Sequence, residues 1–424
     1  MTGVRVGVLT VGDELLYGST VDTNGSWLSA RLAEQGLPVR ARAVVGDVEG
    51  EIRRSLRWLR DAVDAVIVTG GLGPTPDDLT REAVARELGI ELVPSAAILR
   101  GLEARFLAHG FKDLPPDNAR QAMVPEEGRG APLPNPLGSA PGLWFEGACP
   151  VVCLPGVPGE MRRIFGDSVV PALRERFSDR LDPPFHRFIH TSGVAESVLS
   201  AGIAEALPEG SGPVAIAFLP HLGSVDVRLT VSGLPEPEAR AWLDRIEEAI
   251  GPRVAPHRFE SAHGDLAEAV LALCEASERS LSVAESCTGG RIAHRLTRIP
   301  GASRTFVGGV VAYANAAKTA LLGVDAATLE REGAVSGPVA EQMALGVCRL
   351  LETGAGISVT GIAGPDGGSA QKPIGLVWYA AAVDGRVRAV ERRFPGDREG
   401  VRERASEAAL GLLHRMLRES GGTP

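Results

Sequence analysis

Apolar and polar positions along this chain follow two alternating periods: short apolar runs that read as strands, and segments with an apolar residue every three or four positions that read as helices. Val4 to Thr10 reads as a strand, followed by a helix from about Ser26 to Gln35, a strand from Val39 to Val45, a helix from Glu49 to Arg60 and a strand from Ala65 to Val68. Strand, helix and strand in alternation predict a parallel, doubly wound α/β sheet that runs to about Phe165. A different pattern follows. Phe188 to Thr191 reads as a strand, Ala195 to Leu207 as a helix, Val214 to Leu219 and Ser224 to Val231 as a hairpin, and Glu236 to Ile250 as a helix, which together make a small α+β module. From about Ser261 the alternation returns. A helix from Asp265 to Glu278 precedes strands at Leu281 to Ala284, Phe306 to Tyr313, Ala355 to Thr360 and Gly375 to Val383, interleaved with helices near 291–298, 337–353 and 397–417. The chain thus divides at 1–170, 171–255 and 260–424, with the Pro- and His-containing stretch Gly251 to His263 as a linker.

A chain of 424 residues is long enough for several cores, which agrees with that division. The N-terminal apolar run is a short strand rather than a signal peptide, and no apolar run reaches the roughly 18 residues that span a bilayer. A soluble, cytoplasmic protein is expected, with no membrane partner. Five cysteines without paired metal spacing read as buried thiols rather than a disulfide framework. The net charge of −9 argues against a sequence-independent nucleic-acid binder.

Candidate chemistry gathers in two places. A doubly wound sheet binds its ligand at the carboxyl ends of its strands. The loops there are Gly12-Asp13-Glu14-Leu15, Gly46-Asp47, and Gly70-Gly71-Leu72-Gly73-Pro74-Thr75-Pro76-Asp77-Asp78-Leu79-Thr80. Their glycines let backbone N–H groups approach a phosphate, and Glu14, Asp47 and Asp78 are expected to meet at a hard divalent cation. Asp77 and Asp78 could equally cap the helix that begins near Leu79.

The second place is Ser282 to Arg291. The apolar run before Ser286 and Gly289-Gly290 after it put Ser286 at a strand-to-helix corner, where a hydroxyl projects into a cleft and the amides of Thr288, Gly289 and Gly290 are available to an oxyanion or a phosphate. A Ser or Thr that merely caps the helix would give the same local pattern. Composition adds a further pointer. The 44 Lys plus Arg include only three lysines, Lys112, Lys318 and Lys372. Arg holds its proton in proteins, whereas a desolvated Lys can lose one and act as a base, so the lysines that remain are suspects. Lys318 and Lys372 both follow Ser286, and Tyr313, one of three tyrosines, lies near Lys318. Thr360 ends a strand just before Gly361 and Gly364, which could hold a phosphate or form an ordinary surface loop.

These residues carry a resemblance. Gly12-Asp13-Glu14-Leu15 with Asn24, Gly70 to Thr75 with Asp77-Asp78-Leu79-Thr80, and Leu154-Pro155-Gly156-Val157-Pro158 with Glu160-Met161 are similar to the N-terminal half of the CinA family, which resembles molybdopterin-binding domains. Ala284-Glu285-Ser286-Cys287-Thr288-Gly289-Gly290, Gly308 to Tyr313 and Gly361 to Gly368 resemble the same family's nicotinamide-nucleotide amidase domain. The middle module resembles the KH type, but contains no Gly-X-X-Gly loop, so a spacer or dimerisation role is expected over nucleic-acid binding.

The resemblance implies a bifunctional hydrolase of pyridine-nucleotide salvage. Nicotinamide mononucleotide would be deamidated without a cofactor, and ADP-ribose split to AMP and ribose 5-phosphate with a divalent metal (Mg, Mn or Co) on Glu14, Asp47 and Asp78. A homodimer is also implied, and the alternative is a non-enzymatic nucleotide-binding scaffold linked to competence or DNA damage. Ser286 would be the nucleophile. Lys318, held neutral by burial and by Arg398 or Arg402, would take its proton directly or through Tyr313, with Thr360 orienting the amide or the base; the alternative is that Lys318 is itself the phosphate anchor. Gly289, Gly290, Gly361, Gly364, Arg398 and Arg402 would hold the nucleotide in one site. Gly12, Asn24, Gly70, Gly71, Gly73, Thr75, Asp77, Thr80, Pro155 and Gly156 would hold it in the other.

Overall fold

The structure is a computed structural model describing residues 3–207 and 209–420, and the chain divides into two compact units, one ending with Phe185 and the other beginning with His186. The first is built on a six-stranded sheet in the order Val39–Val45, Val6–Val11, Ala65–Thr69, Val151–Leu154, Gly142–Phe145, Gly130–Leu133. The first four strands are parallel and the last two antiparallel. The parallel part follows the expected alternation. Those two antiparallel strands have four residues each, too short for a periodicity to register.

Val6–Val11 and Ala65–Thr69 are buried throughout, as central strands covered on both faces must be. Helix Glu49–Ala62 packs on one face through Ile52, Leu56 and Leu59, spaced as one helical stripe. Burying each such side chain contributes roughly 2 kcal/mol, and Leu56→Ala would cost about 2–5 kcal/mol. Helix Thr23–Glu34 covers the other face with Leu28 and Leu32. It starts earlier than the pattern suggests because Asp22 caps it, accepting from the Gly25 N–H at 2.8 Å.

The second unit contains the middle module and the C-terminal domain. The module has a four-stranded sheet in the order Ala215–Pro220, Ser224–Val231, Phe185–Ser192, Arg258–Phe259, with helices Glu196–Ala206 and Glu236–Val254. The stretch read as a linker is therefore structured. The helix continues through Pro252 to Val254, Arg258–Phe259 pairs antiparallel with Thr191 and His190, and Phe259 is buried in the core of the C-terminal domain. One aromatic anchor turned inward is hard to separate from polar loop composition in sequence.

The C-terminal sheet runs Phe306–Val311, Leu281–Glu285, Ala355–Gly361, Leu376–Val383, Arg386–Arg393. Its first three strands are parallel and its last two antiparallel. The outermost strand, Arg386–Arg393, is largely exposed and charged, so it lacks the apolar run by which its neighbours were identified. Alternate residues of Leu281–Glu285 serve two cores. Leu281 and Val283 join the helices Leu266–Ala276, Arg291–Thr297 and Arg398–Ser420, while Ala284 faces Leu322, Val339 and Met343 on the other side. Among the described residues no helix is long and apolar enough to cross a membrane.

Candidate active site

In the second unit, Ser286 directly follows the interior strand Leu281–Glu285, as the corner reading requires. Its N–H donates to the Val359 carbonyl at 2.9 Å, and its own carbonyl accepts from the Gly289 N–H at 3.1 Å. The turn closes through Gly289 and Gly290, with φ of 61° and 92°, a region that glycine enters without strain.

Lys318 projects from helix Asn315–Leu322 and is only 1% exposed. Its Nζ lies 3.2 Å from Ser286 Oγ, 3.0 Å from the Ala312 carbonyl and 3.2 Å from the Tyr313 carbonyl. Burial lowers this amine from the ordinary lysine range. A neutral amine has two hydrogens and one lone pair. The two carbonyls can take the hydrogens, leaving the lone pair for the Ser286 hydroxyl. The arginines expected to depress Lys318 are not the cause; desolvation is.

Three expected participants are placed differently from the reading. Tyr313 is exposed, and its hydroxyl accepts from Arg398 Nη2 at 3.0 Å, so only its backbone carbonyl touches Lys318. A relay through the phenol is replaced by direct contact of Lys318 with Ser286. Thr360 is buried and donates to the Ala334 carbonyl at 2.8 Å, which makes it a brace on a neighbouring turn. Lys372, the other suspect lysine, is bound to the Glu332 and Val335 carbonyls at 2.6 and 2.9 Å and braces the same turn.

The largest departure concerns the amides after the nucleophile. Glu285 is 1% exposed, and its carboxylate accepts from the N–H groups of Gly290 (3.0 Å), Ile292 (3.2 Å) and Ala293 (2.9 Å). The cap on helix Arg291–Thr297 is thus a glutamate from the preceding strand, not a Ser or Thr. With Gly289 and Gly290 engaged, the amides of Cys287 and Thr288 are the ones that make no hydrogen bond to another of the described residues. Cys287 is buried and its thiol is pushed up to about 12, which removes it as a competing nucleophile. Sequence reading missed Glu285 because a strand residue capping a helix beyond a five-residue turn matches no local capping pattern.

Arg398 and Arg402 arrive from the last helix. Arg402 pairs with Glu399 and donates to the Thr288 carbonyl at 2.9 Å. Arg398 donates to the Gly364 carbonyl at 2.7 Å and to the Tyr313 hydroxyl, both neutral acceptors, and forms no ion pair among the described residues. Of the two, it is the cation left uncompensated for an anion. Gly361 ends its strand opposite Val377, and Gly364, with φ of 82°, presents the carbonyl that holds Arg398.

In the first unit, Gly70, Gly71, Asn24, Thr80, Pro155 and Gly156 come together. A side chain on Gly70 would collide with the Val11 carbonyl and one on Gly71 with the Thr80 hydroxyl. Asn24 donates to the Gly156 carbonyl at 2.7 Å, and Thr69 to the Pro155 carbonyl at 3.0 Å. Asn24 Oδ1 and Thr80 Oγ1 are buried without a partner among the described residues. Such orphaned polar atoms are costly in an interior and fit a ligand cleft.

The expected cation site is not assembled. Asp78 is held within its own loop, accepting from the Thr75 N–H at 2.9 Å and the Thr75 hydroxyl at 2.5 Å, and it lies against Gly73. Asp47 is bound to Asp13, each accepting from the other's N–H. Burial, with Asp13, Glu14 and Asp77 nearby, holds its carboxyl above the usual range. The carboxylate of Glu14 lies against Gly12. Among the described residues no three acidic, His or Cys groups are grouped to hold a metal ion, so Glu14, Asp47 and Asp78 do not fit one as arranged. Three loops on one sheet edge predict proximity, but Asp78 is captured by its own turn.

Comparison with known proteins covers the whole chain. Residues 7–175 match the family model of a probable molybdopterin binding domain, 186–259 that of the damage-inducible protein CinA KH domain, and 263–417 that of the CinA C-terminal domain. A CinA-like protein of Gemmatimonas aurantiaca is 44% identical over 418 residues, 98% of this chain and 97% of the relative. One of Parasynechococcus marenigrum is 42% identical over 423 residues, 98% of this chain and 99% of the relative. The crystal structure of the competence/damage inducible protein CihA from Agrobacterium tumefaciens is 41% identical and covers 38% of this chain and 98% of that one, with a TM-score of 0.36. With matched models from residue 7 to residue 417 and relatives aligned over nearly their full length, this chain belongs to the CinA family.

Proposed function

We propose that the C-terminal domain hydrolyses the carboxamide of nicotinamide mononucleotide, giving nicotinate mononucleotide and ammonia. The observation that carries this reading is the buried Lys318 amine, 3.2 Å from Ser286 Oγ, with two carbonyls placed to take its hydrogens. Ser286 Oγ attacks the amide carbon while Lys318 takes the hydroxyl proton, and the amides of Cys287 and Thr288 stabilise the oxyanion. Collapse of the tetrahedral intermediate breaks the C–N bond, and Lys318 returns the proton to the leaving ammonia. Water, deprotonated by the same amine, then attacks the acyl ester, and release of the carboxylate restores the Ser286 hydroxyl. Arg398 is the phosphate anchor in this scheme because it forms no ion pair among the described residues. Purified protein incubated with nicotinamide mononucleotide should release ammonia, and Ser286→Ala should release none. Ammonia release that survives Ser286→Ala removes the reading.

The orphaned Asn24 Oδ1 and Thr80 Oγ1 beside Gly70 and Gly71 favour a second nucleotide site in the first unit. Its proposed substrate is ADP-ribose, split at the pyrophosphate to AMP and ribose 5-phosphate. AMP formation, assayed with and without divalent cation, tests this. Binding of both nucleotides with no turnover would instead make the protein a nucleotide-responsive scaffold.

A further inference from the structure

Glu285 makes no ion pair among the described residues, yet its carboxylate lies in the interior one residue before the proposed nucleophile. Its partners are the amides of Gly290, Ile292 and Ala293, all on the far side of the Ser286–Gly290 turn. One oxygen accepts from Gly290 and Ile292, the other from Ala293. Together with the Gly289 N–H to Ser286 carbonyl bond, these contacts fix both ends of the turn to the end of strand Leu281–Glu285.

We propose that Glu285 is a positioning residue for the amide hydrolysis, an inference that rests on the function proposed above. Its carboxylate ties down the amides of Gly290, Ile292 and Ala293, and so holds the turn in the one shape that leaves the Cys287 and Thr288 amides free for the oxyanion. Two consequences follow from the charge. The first turn of helix Arg291–Thr297 already has its counter-anion, so the substrate phosphate binds elsewhere, which agrees with an unpaired Arg398. Glutamine cannot replace the carboxylate, because one of its two terminal atoms is a donor and would confront an N–H in either orientation.

The test compares unmodified protein with Glu285→Gln, which keeps the shape, using ammonia release from nicotinamide mononucleotide and inhibition by pyridine-3-boronic acid. In the boronate, Ser286 Oγ adds to the empty boron orbital as its O–H bond breaks and the proton passes to Lys318, which forms a tetrahedral anion beside a lysine ammonium with no leaving group expelled. A misplaced oxyanion site should lower kcat by about 10- to 100-fold with KM changed less than about threefold, and should weaken boronate binding by a similar factor. A loss confined to KM, a kcat within twofold of the unmodified protein, or unchanged boronate affinity would overturn the inference. If Glu285→Gln does not fold, Glu285→Asp carries the same comparison, since it keeps the charge but draws it back by one methylene. No ammonia release by the unmodified protein overturns the proposed function and this inference together, whereas an active unmodified protein matched by an equally active Gln variant overturns the inference alone.

Discussion

Replacing Lys318 by Arg separates a base from an anchor. The side chain is 1% exposed and its amine is held by Ser286 and two backbone carbonyls, so it has no free hydrogen-bonding capacity for a phosphate. A guanidinium keeps the positive charge but cannot accept the serine proton. General-base assistance contributes roughly 10²–10⁴-fold, and at about 1.4 kcal/mol per factor of ten its loss should raise the barrier by about 3–6 kcal/mol. Overpacking by the longer head group should cost a further 1–3 kcal/mol, roughly, of stability. The assay is steady-state ammonia release with kcat and KM separated, beside a thermal melt, for Lys318→Arg and the neutral near-isostere Lys318→Met. Both variants should lose at least about 10² in kcat with KM little changed. On the proposed mechanism the active form of the unmodified protein is the unprotonated amine, so kcat/KM should rise with pH through a pKa below the ordinary lysine value. Near-normal kcat in Lys318→Arg with a large rise in KM in Lys318→Met would refute the base assignment and make the residue an anchor.

Three further outcomes are expected. Cys287→Ala should keep amidase activity that Ser286→Ala loses, because the buried thiol, at about 12, is un-ionised at neutral pH; the reverse pattern moves the nucleophile to sulfur. Thr80→Val removes a buried hydroxyl that has no partner, so stability should hold or rise by about 1 kcal/mol while ADP-ribose affinity falls around tenfold; calorimetric titration showing unchanged affinity would take Thr80 out of the site. His414 is lowered to about 4 by burial, with Arg418 and Arg415 adding to the effect, so between pH 6.5 and 4 the unfolded chain binds the extra proton. That share of stability is present above about 6.5 and is lost as pH falls toward 4, about 3 kcal/mol in all. Urea titrations at neutral and acid pH should show a smaller loss in His414→Leu, and an equal loss would acquit this residue.

How much of the site could be read from sequence depended on whether a signal was local. Ser286 was legible because an apolar run and two glycines bracket it within ten residues, and Lys318 because an Arg-rich composition leaves few lysines. Gly70, Gly71 and Thr80 were legible because the sheet pattern puts their loop at a strand end. Glu285 was not, since its role depends on amides five to eight residues ahead turning back toward it. Asp78 misled for the opposite reason. Its nearest donors, on Thr75, are three residues away and bind it first, and no spacing rule reports which partner wins. Arg386–Arg393 escaped because an edge strand has one side in water and needs little apolar character.

The Arg398 guanidinium joins two loops that come from different strands, the one carrying Tyr313 and the one carrying Gly364. At the anion position proposed for Arg398, an incoming phosphate would therefore not simply add to this arrangement but compete with it. Forming charge-assisted bonds to the anion would draw the guanidinium from the phenol and the carbonyl, so occupancy of that proposed position would release both loops together. Linkage makes the relation reciprocal: whatever draws Tyr313 away from Arg398, such as a pyridine ring stacking on it, frees the cation and tightens its hold on phosphate by the same factor. The two ends of a nucleotide would in this way assist each other's binding through one side chain, and a fragment carrying only one end would bind more weakly than its contacts alone suggest.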